Sequence, residues 1–364
     1  MLARNSCRHF IRMMRGAATG FAAASMLAAA PASATVVYCV SSSQEIQNAL
    51  DKSSDGGVNN GKDNHIHIVK GTYGTAAISG GGPFHYVNSA STGDLVIEGG
   101  YDSGCATRSS NALLTRLDGN YVSQVMSLQS VSAEIDVSGL TIQNGVATTD
   151  GGGLQVNISD QDNSTVAIFD NVFRSNTTTK FGGGLFAATS GSGRFVFVNN
   201  NLIVGNSADV GNAAAELIGN GLGVLFYDNT VYQNTTAFPD GVGGIYCGGS
   251  GECEVNNNII WNNSNVGIDV AAIGMKTLSY NDIGTYTGGP FSENIGNQSV
   301  APKFVDAAGG DFHLAANSTL LAVSPILFGS VDLDGNAYPA NGVQDMGAYE
   351  ETVFTNGFDE LPPQ

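Results

Sequence analysis

Four charged residues, Asp150, Lys180, Asp209 and Asp240, stand out for chemistry by type and spacing. Each follows the last asparagine of a recurring phrase by three to six residues, which places it in the same turn of a repeating unit. Stacked units would line the four up, with neighbours about 5 Å apart. A lysine flanked by carboxylates there suits the base of a lyase, with the aspartates holding Ca²⁺. Two of the aspartates equally suit the acid–base pair of an inverting hydrolase, which sits about 6.5–9.5 Å apart. The plainer alternative is that loop tips carry charge because they face water. A second candidate, Asp332-x-Asp334-x-Asn336, opens like a calcium loop. Val343 stands where an EF-hand needs its bidentate glutamate, so Asp345 would have to complete a weaker Ca²⁺ site. His65 and His67 share a strand face but lack a third ligand, which favours plain surface over metal.

These residues must be positioned by a repeat. GLTIQN from Gly139, NVFRSN from Asn171, NLIVGN from Asn201, NTVYQN from Asn229 and NIIWNN from Asn258 form one phrase, with a decayed copy, NDIGTY, from Asn281. The closing asparagines Asn144, Asn176, Asn206, Asn234 and Asn263 are spaced 32, 30, 28 and 29 residues apart. Such a repeat cannot bury its apolar face alone and must stack. Its second and third positions, and Ile168, Val198, Phe226, Val255 and Leu278 three residues ahead of the opening asparagine, are mostly strand formers. The period fits three short strands per coil, and the glycine-rich turns speak against helical repeats. The sequence therefore predicts an all-β, right-handed parallel β-helix, with asparagines laddered along its turns. The Asn-x-Ser/Thr triplets at Asn157, Asn163, Asn176, Asn234 and Asn263 are read as part of that ladder and not as glycosylation sites.

Residues 1–34 read as a cleavable export signal: Arg4, Arg8, Arg12 and Arg15, an alanine-rich run, then Ala32-Ser33-Ala34. Cleavage would remove four of 14 basic residues and none of the 32 acidic ones, leaving 10 − 32 = −22. So acidic a chain is excluded from binding nucleic acid through phosphates. The mature chain is expected to be secreted or surface-associated, without a transmembrane segment. Its four cysteines predict two disulfides in an oxidising compartment. Cys247 and Cys253 flank a small loop, which leaves Cys39 for Cys105; a metal site is the alternative.

Ser42-Ser43-Gln44-Glu45 has the form of a capping box ahead of Ile46, Ala49 and Leu50, so a short helix within 35–60 should cover the first coil. With the strand that ends in Gly71-Thr72-Tyr73-Gly74, this opening resembles the pectin-lyase-like superfamily of β-helix proteins. EGGYDSGCATR from Glu98 and LLTRLDG ending at Gly119 resemble exported bacterial right-handed β-helix repeat proteins, which implies a structural rung. The stretch 301–351, with Asp311-Phe312-His313-Leu314, Ser324-Pro325 and Asp345-x-Gly347-Ala348-Tyr349-Glu350, resembles closing rungs of the choice-of-anchor type. Phe328 and Tyr338 stand where that type carries an ion pair, and an aromatic contact between them is expected. The acidic tail 352–364 resembles the ends of exported proteins from some Gram-negative bacteria. None of the superfamily's lyase or polygalacturonase signatures is present. The reading is a non-catalytic β-helix whose ladder faces bind a glycan or another surface, through Trp261 or tyrosines such as Tyr227, Tyr232, Tyr246, Tyr280 and Tyr286 if exposed. The alternatives are a polysaccharide lyase or hydrolase acting on uronate-type or neutral chains, and a purely architectural rod. No cofactor is implied beyond Ca²⁺.

Overall fold

A computed structural model describes residues 35–89, 93–131, 134–159, 165–191, 195–326 and 331–351. The expected export signal, the acidic tail, Asn163 and Phe328 lie outside the described residues, as does any contact of Phe328 with Tyr338.

The chain winds into a parallel β-helix. Sheet 1 has ten strands, from Val36–Val40 to Glu293–Ile295; sheet 2 has eight, from Gly71–Gly74 to Asp282–Ile283; sheet 3 has eight, from Phe84–Asn88 to Tyr286–Thr287. A typical coil runs Ile135–Ser138 in sheet 1, Thr141–Gln143 in sheet 2 and Leu154–Ile158 in sheet 3. Four coils add a two-residue strand between sheets 2 and 3, and these four make a small sheet 4. Strand alternation sends every second residue inward. Ile168, Val198, Phe226, Val255 and Leu278 accordingly stack in register in sheet 1 and are fully buried. One continuous core runs from Val40 to Ile283.

The asparagines divide their tasks. Residues with positive φ at the first turn are Asp170, Asn200, Asp228, Asn257 and Tyr280, each just ahead of the opening asparagine. The opening asparagines themselves form the ladder: Asn171, Asn201, Asn229, Asn258, Asn281 and Asn297, each amide donating to the next side-chain oxygen at 2.8–3.2 Å. A second ladder joins Asn176, Asn206, Asn234 and Asn263. The first copy of the phrase is corrected by one residue. Thr141-Ile142, not Leu140-Thr141, stands opposite Val172-Phe173, so Gly145 and not Asn144 faces Asn176. Burial decides this register, because it keeps Ile142 beside Phe173 in the core. Of the Asn-x-Ser/Thr triplets, Asn157 lies on the sheet 3 face instead of in a ladder.

Helix α1, Ser43–Ser53, caps the first coil. Ser42 accepts from the Glu45 amide at 3.2 Å, and the Glu45 carboxylate takes the Ser41 amide at 2.8 Å. Ile46 and Leu50 plug the open end of the core. Ser42→Ala should cost about 1 kcal/mol, read as a drop in urea midpoint with an unchanged slope.

The segment 301–351 does not continue the stack as closing rungs. It forms two antiparallel pairs, Phe304–Asp306 with Asp311–Leu314 and Ser324–Pro325 with Val343–Gln344. It folds back across the outer face of sheet 2. Phe312, Leu333 and Ala348 pack on Val172 and Leu202, and Leu314, Leu320 and Met346 pack on Ile259. The physical cause is the row of outward apolar residues on sheet 2, which would otherwise face water. Polar bolts fix it: Gln344 donates to Asp228 at 2.6 Å, the Ala348 amide to Thr230 at 3.1 Å, and Ser110 to the Asp334 carbonyl at 3.1 Å.

Candidate functional site

The turn that carries Asp150, Lys180, Asp209 and Asp240 lies where sheet 4 leads into sheet 3. Its register Ala147–Thr178–Ala208–Thr236 shows that the four do not form a line. Asp150 lies three residues past that register, Lys180 two, Asp209 one and Asp240 four, because the turns differ in length. Lys180, Asp209 and Asp240 are exposed, and no ion pair joins any of the four among the described residues. Asp150 alone points to neighbouring structure, accepting from the Phe181 amide at 3.3 Å.

What converges instead is a row on the outer face of sheet 3. Gln155, Phe186, Glu216, Tyr246 and Asp269 stand in register on five successive strands, all half-exposed. Burial pushes the Glu216 carboxyl up to about 7, against the hydrogen bond it accepts from Asn212 at 3.0 Å; nearby Asp150 pushes it further up. Burial, then Asp269 and Glu216, push the Tyr246 hydroxyl up. Two aromatic rings thus alternate with two carboxylates at the rung spacing of about 4.8 Å. The glycine-rich repeats DGGGLQV, KFGGGLFAA, NAAAELI, GGIY and VGIDV hold this row at one fixed position, the residue after the first inward apolar side chain. Sequence reasoning aimed at the turn and missed Gln155, Phe186, Glu216 and Asp269, although aligning those repeats would have found them.

Of the other aromatic candidates, Tyr286 stays 44% exposed on the last strand of sheet 3, edge-on to Phe291 at 5.7 Å, and the rest are occupied. Tyr227 is buried, and Tyr232 packs edge-on to Phe304 and Phe312 at 5.3 and 5.6 Å. Trp261 and Tyr280 lie under the folded-back segment.

The residues proposed for Ca²⁺ are not brought together as ligands. Asp332 accepts from the Asn336 amide at 2.6 Å, its side chain at 3.0 Å and the Glu350 amide at 2.9 Å. Asp345 accepts from the Ala322 and Glu351 amides at 2.7 and 2.8 Å. Asp334 turns away to His313 at 3.1 Å, whose other nitrogen meets Asp311 at 2.7 Å. Backbone amides have taken the lone pairs a cation would need, and no group of three or more His, Cys, Asp or Glu among the described residues is placed to hold a metal.

His65 and His67 do share a face, with ring centroids 6.3 Å apart. His67 stacks on Tyr101 at 4.1 Å and lies 3.7 Å from Glu98. Arg108 meets Glu98 at 2.7 Å and donates to the Gly99 carbonyl and Ser138, each at 2.8 Å, so this stretch bolts three coils together. Both disulfides form, Cys39–Cys105 and Cys247–Cys253, with Cα separations of 5.8 and 6.4 Å. Among the described residues no helix is long and apolar enough to cross a membrane. In comparison with known proteins, no family model, curated protein or solved structure matches this chain.

Proposed function

We propose that this is an exported β-helix protein that binds a neutral glycan along the outer face of sheet 3. The observation that carries the reading is the half-exposed row Gln155–Phe186–Glu216–Tyr246–Asp269. Aromatic faces take the C–H faces of sugar rings, while flanking carboxylates and an amide accept and donate hydroxyl hydrogen bonds. One side chain per rung repeats along the axis at a length close to that of one extended sugar unit, so a chain lying along the helix meets a partner at each step. The acidity of the row favours neutral sugars over acidic ones. Two disulfides support export to an oxidising compartment. The likeness of the opening to the pectin-lyase-like superfamily, of Glu98–Gly119 to exported bacterial right-handed β-helix repeat proteins and of 301–351 to the choice-of-anchor type supports it too.

The test is calorimetric titration with hexasaccharides of cellulose, xylan and mannan. One of them is expected to bind, and Tyr246→Ala to weaken it at least tenfold, about 1.4 kcal/mol, with little change in melting temperature. No binding by any of the three, or binding indifferent to Tyr246→Ala and Phe186→Ala, would end the proposal. One observation favours a second reading, hydrolysis. Glu216 and Asp269 flank Tyr246 two rungs apart, about 9–10 Å by rung spacing, near the long end of the inverting-hydrolase range. New reducing ends that vanish in Glu216→Gln would put that reading in place of binding.

A further inference from the structure

Strand Val242–Gly248 of sheet 3 carries three glycines, and they are required for different reasons. A side chain at Gly243 or Gly244 would strike backbone of the next coil, the Ser264 and Gly267 carbonyl oxygens. At Gly248 the three nearest atoms to such a group all belong to the Tyr246 side chain. A methyl group there would stand 2.6 Å from Tyr246 Cε1 and 2.9 Å from its Cζ and hydroxyl oxygen, well inside contact distance. Strand alternation turns Gly248, like Tyr246, to the outer face, yet Gly248 is buried. The phenol ring lies over it. Between the two, Cys247 faces the core and is bonded to Cys253, which holds the strand beneath the ring.

The rungs beside it are not bare. Asn157 follows Gln155 by two residues, Ala188 follows Phe186 and Ile218 follows Glu216, all in register with Gly248. Of these four rungs, only that of Tyr246 has its lane cleared down to the Cα. A tyrosine that stands away from its sheet samples several rotamers and loses them on binding. One laid along its strand is fixed beforehand, so less ordering is left for the ligand to offset. Glu216 and Asp269 stand one rung to either side of Tyr246, about 4.8 Å away. A sugar resting on the ring meets these carboxylates at its rim, where they take hydroxyls lying in the plane of the sugar and miss an axial one.

We propose that Gly248 is the positioning residue of the glycan face: it lets Tyr246 lie along the sheet as a platform for a sugar whose hydroxyls are all equatorial, as in β-linked glucose or xylose chains. The ligand rests on the glycan reading of this face, whereas the placing of Tyr246 by Gly248 can be measured without any ligand.

The experiment compares the wild type with Gly248→Ala, Tyr246→Ala and the double variant. Only the tip of a flexible side chain has to yield to the new methyl group, so Gly248→Ala should leave the melting temperature nearly unchanged. In calorimetric titration, cellohexaose or xylohexaose should bind better than mannohexaose, which carries an axial hydroxyl. Gly248→Ala should lower affinity for the preferred ligand about fivefold or more, and should have no effect once Tyr246 is already alanine. A glycine needed only for folding would act alike in both backgrounds. The ligand-free reading is the ultraviolet titration of tyrosinate. Tyr246, identified among the 12 tyrosines by difference from Tyr246→Ala, should ionise above the ordinary tyrosine range in the wild type and return toward it in Gly248→Ala. Wild-type binding that persists at full affinity in Gly248→Ala, or an unmoved Tyr246 titration, would overturn the positioning role. Tighter binding of mannohexaose than of the other two would overturn the equatorial assignment. A wild type that binds none of the three ends the glycan reading itself and the platform's ligand with it, an outcome distinct from both.

Discussion

Asn229→Ala should destabilise the protein by about 3–5 kcal/mol, far beyond an average point substitution. The Asn229 side chain is fully buried and has five polar partners within hydrogen-bond distance, its two N–H groups shared among three acceptors. Its amide donates to the Val198 and Tyr227 carbonyls and to Asn258, at 3.1, 2.7 and 3.1 Å. Its oxygen accepts from the Asn201 amide at 2.9 Å and side chain at 3.0 Å. At about 1 kcal/mol per bond, with an added penalty for the stranded Asn201 N–H, the loss reaches that range. Asn157→Ala, on the half-exposed sheet 3 face, should stay within about 0.5 kcal/mol. Urea unfolding followed by circular dichroism checks both. A loss below about 1 kcal/mol at Asn229 would mean that the ladder does not hold the coils together.

Melting temperature should fall steadily as pH rises from about 4 to 9, the reverse of a protein held by ionised carboxylates. Burial pushes Asp228, Asp282 and Glu350 each up to about 7. Their protonated forms therefore contribute stability that is complete below the unfolded values, near 4, and is lost as pH rises through 7. A shift of that size is worth up to about 4 kcal/mol per group. His313 acts in the same direction at higher pH. Its hydrogen bond to Asp334, ahead of that to Asp311, raises it to about 9, so its contribution is whole below 6.5 and lost through 9. Glu350 faces Asp345, Asp332 and Glu351, whose charges accumulate together as protons leave, and Asp228 is bolted to Gln344. The folded-back segment should therefore loosen first. Glu350→Gln should flatten the profile above pH 6; a wild-type profile that rises with pH would contradict this account.

The winding of the chain was legible because burial repeats. Ile168, Val198, Phe226, Val255 and Leu278 recur at one place in the phrase, and a residue that always faces inward leaves that trace in one sequence. The capping helix was legible from Ser42 and Glu45, and both disulfides from four cysteines in a chain read as exported. Asn144 continues the asparagine spacing by type alone, whereas the core sets Ile142 against Phe173 and shifts the first copy by one residue.

The functional rows were less legible. Asp150, Lys180, Asp209 and Asp240 keep similar distances from an asparagine along the chain, but rung register, set by backbone pairing, scatters them. The fold-back of 301–351 had one hint, the doubly apolar pairs Val172-Phe173, Leu202-Ile203 and Ile259-Ile260. Strand alternation sends only one member of each pair inward, so the other needs a cover. The sequence alone determined the solenoid, its ladders and its cap, all of which rest on contacts repeated from coil to coil. Only the tertiary structure decided which outer faces are covered and which stay open. That choice depends on single contacts between distant segments, such as Gln344 with Asp228, and a contact made once leaves no period to read.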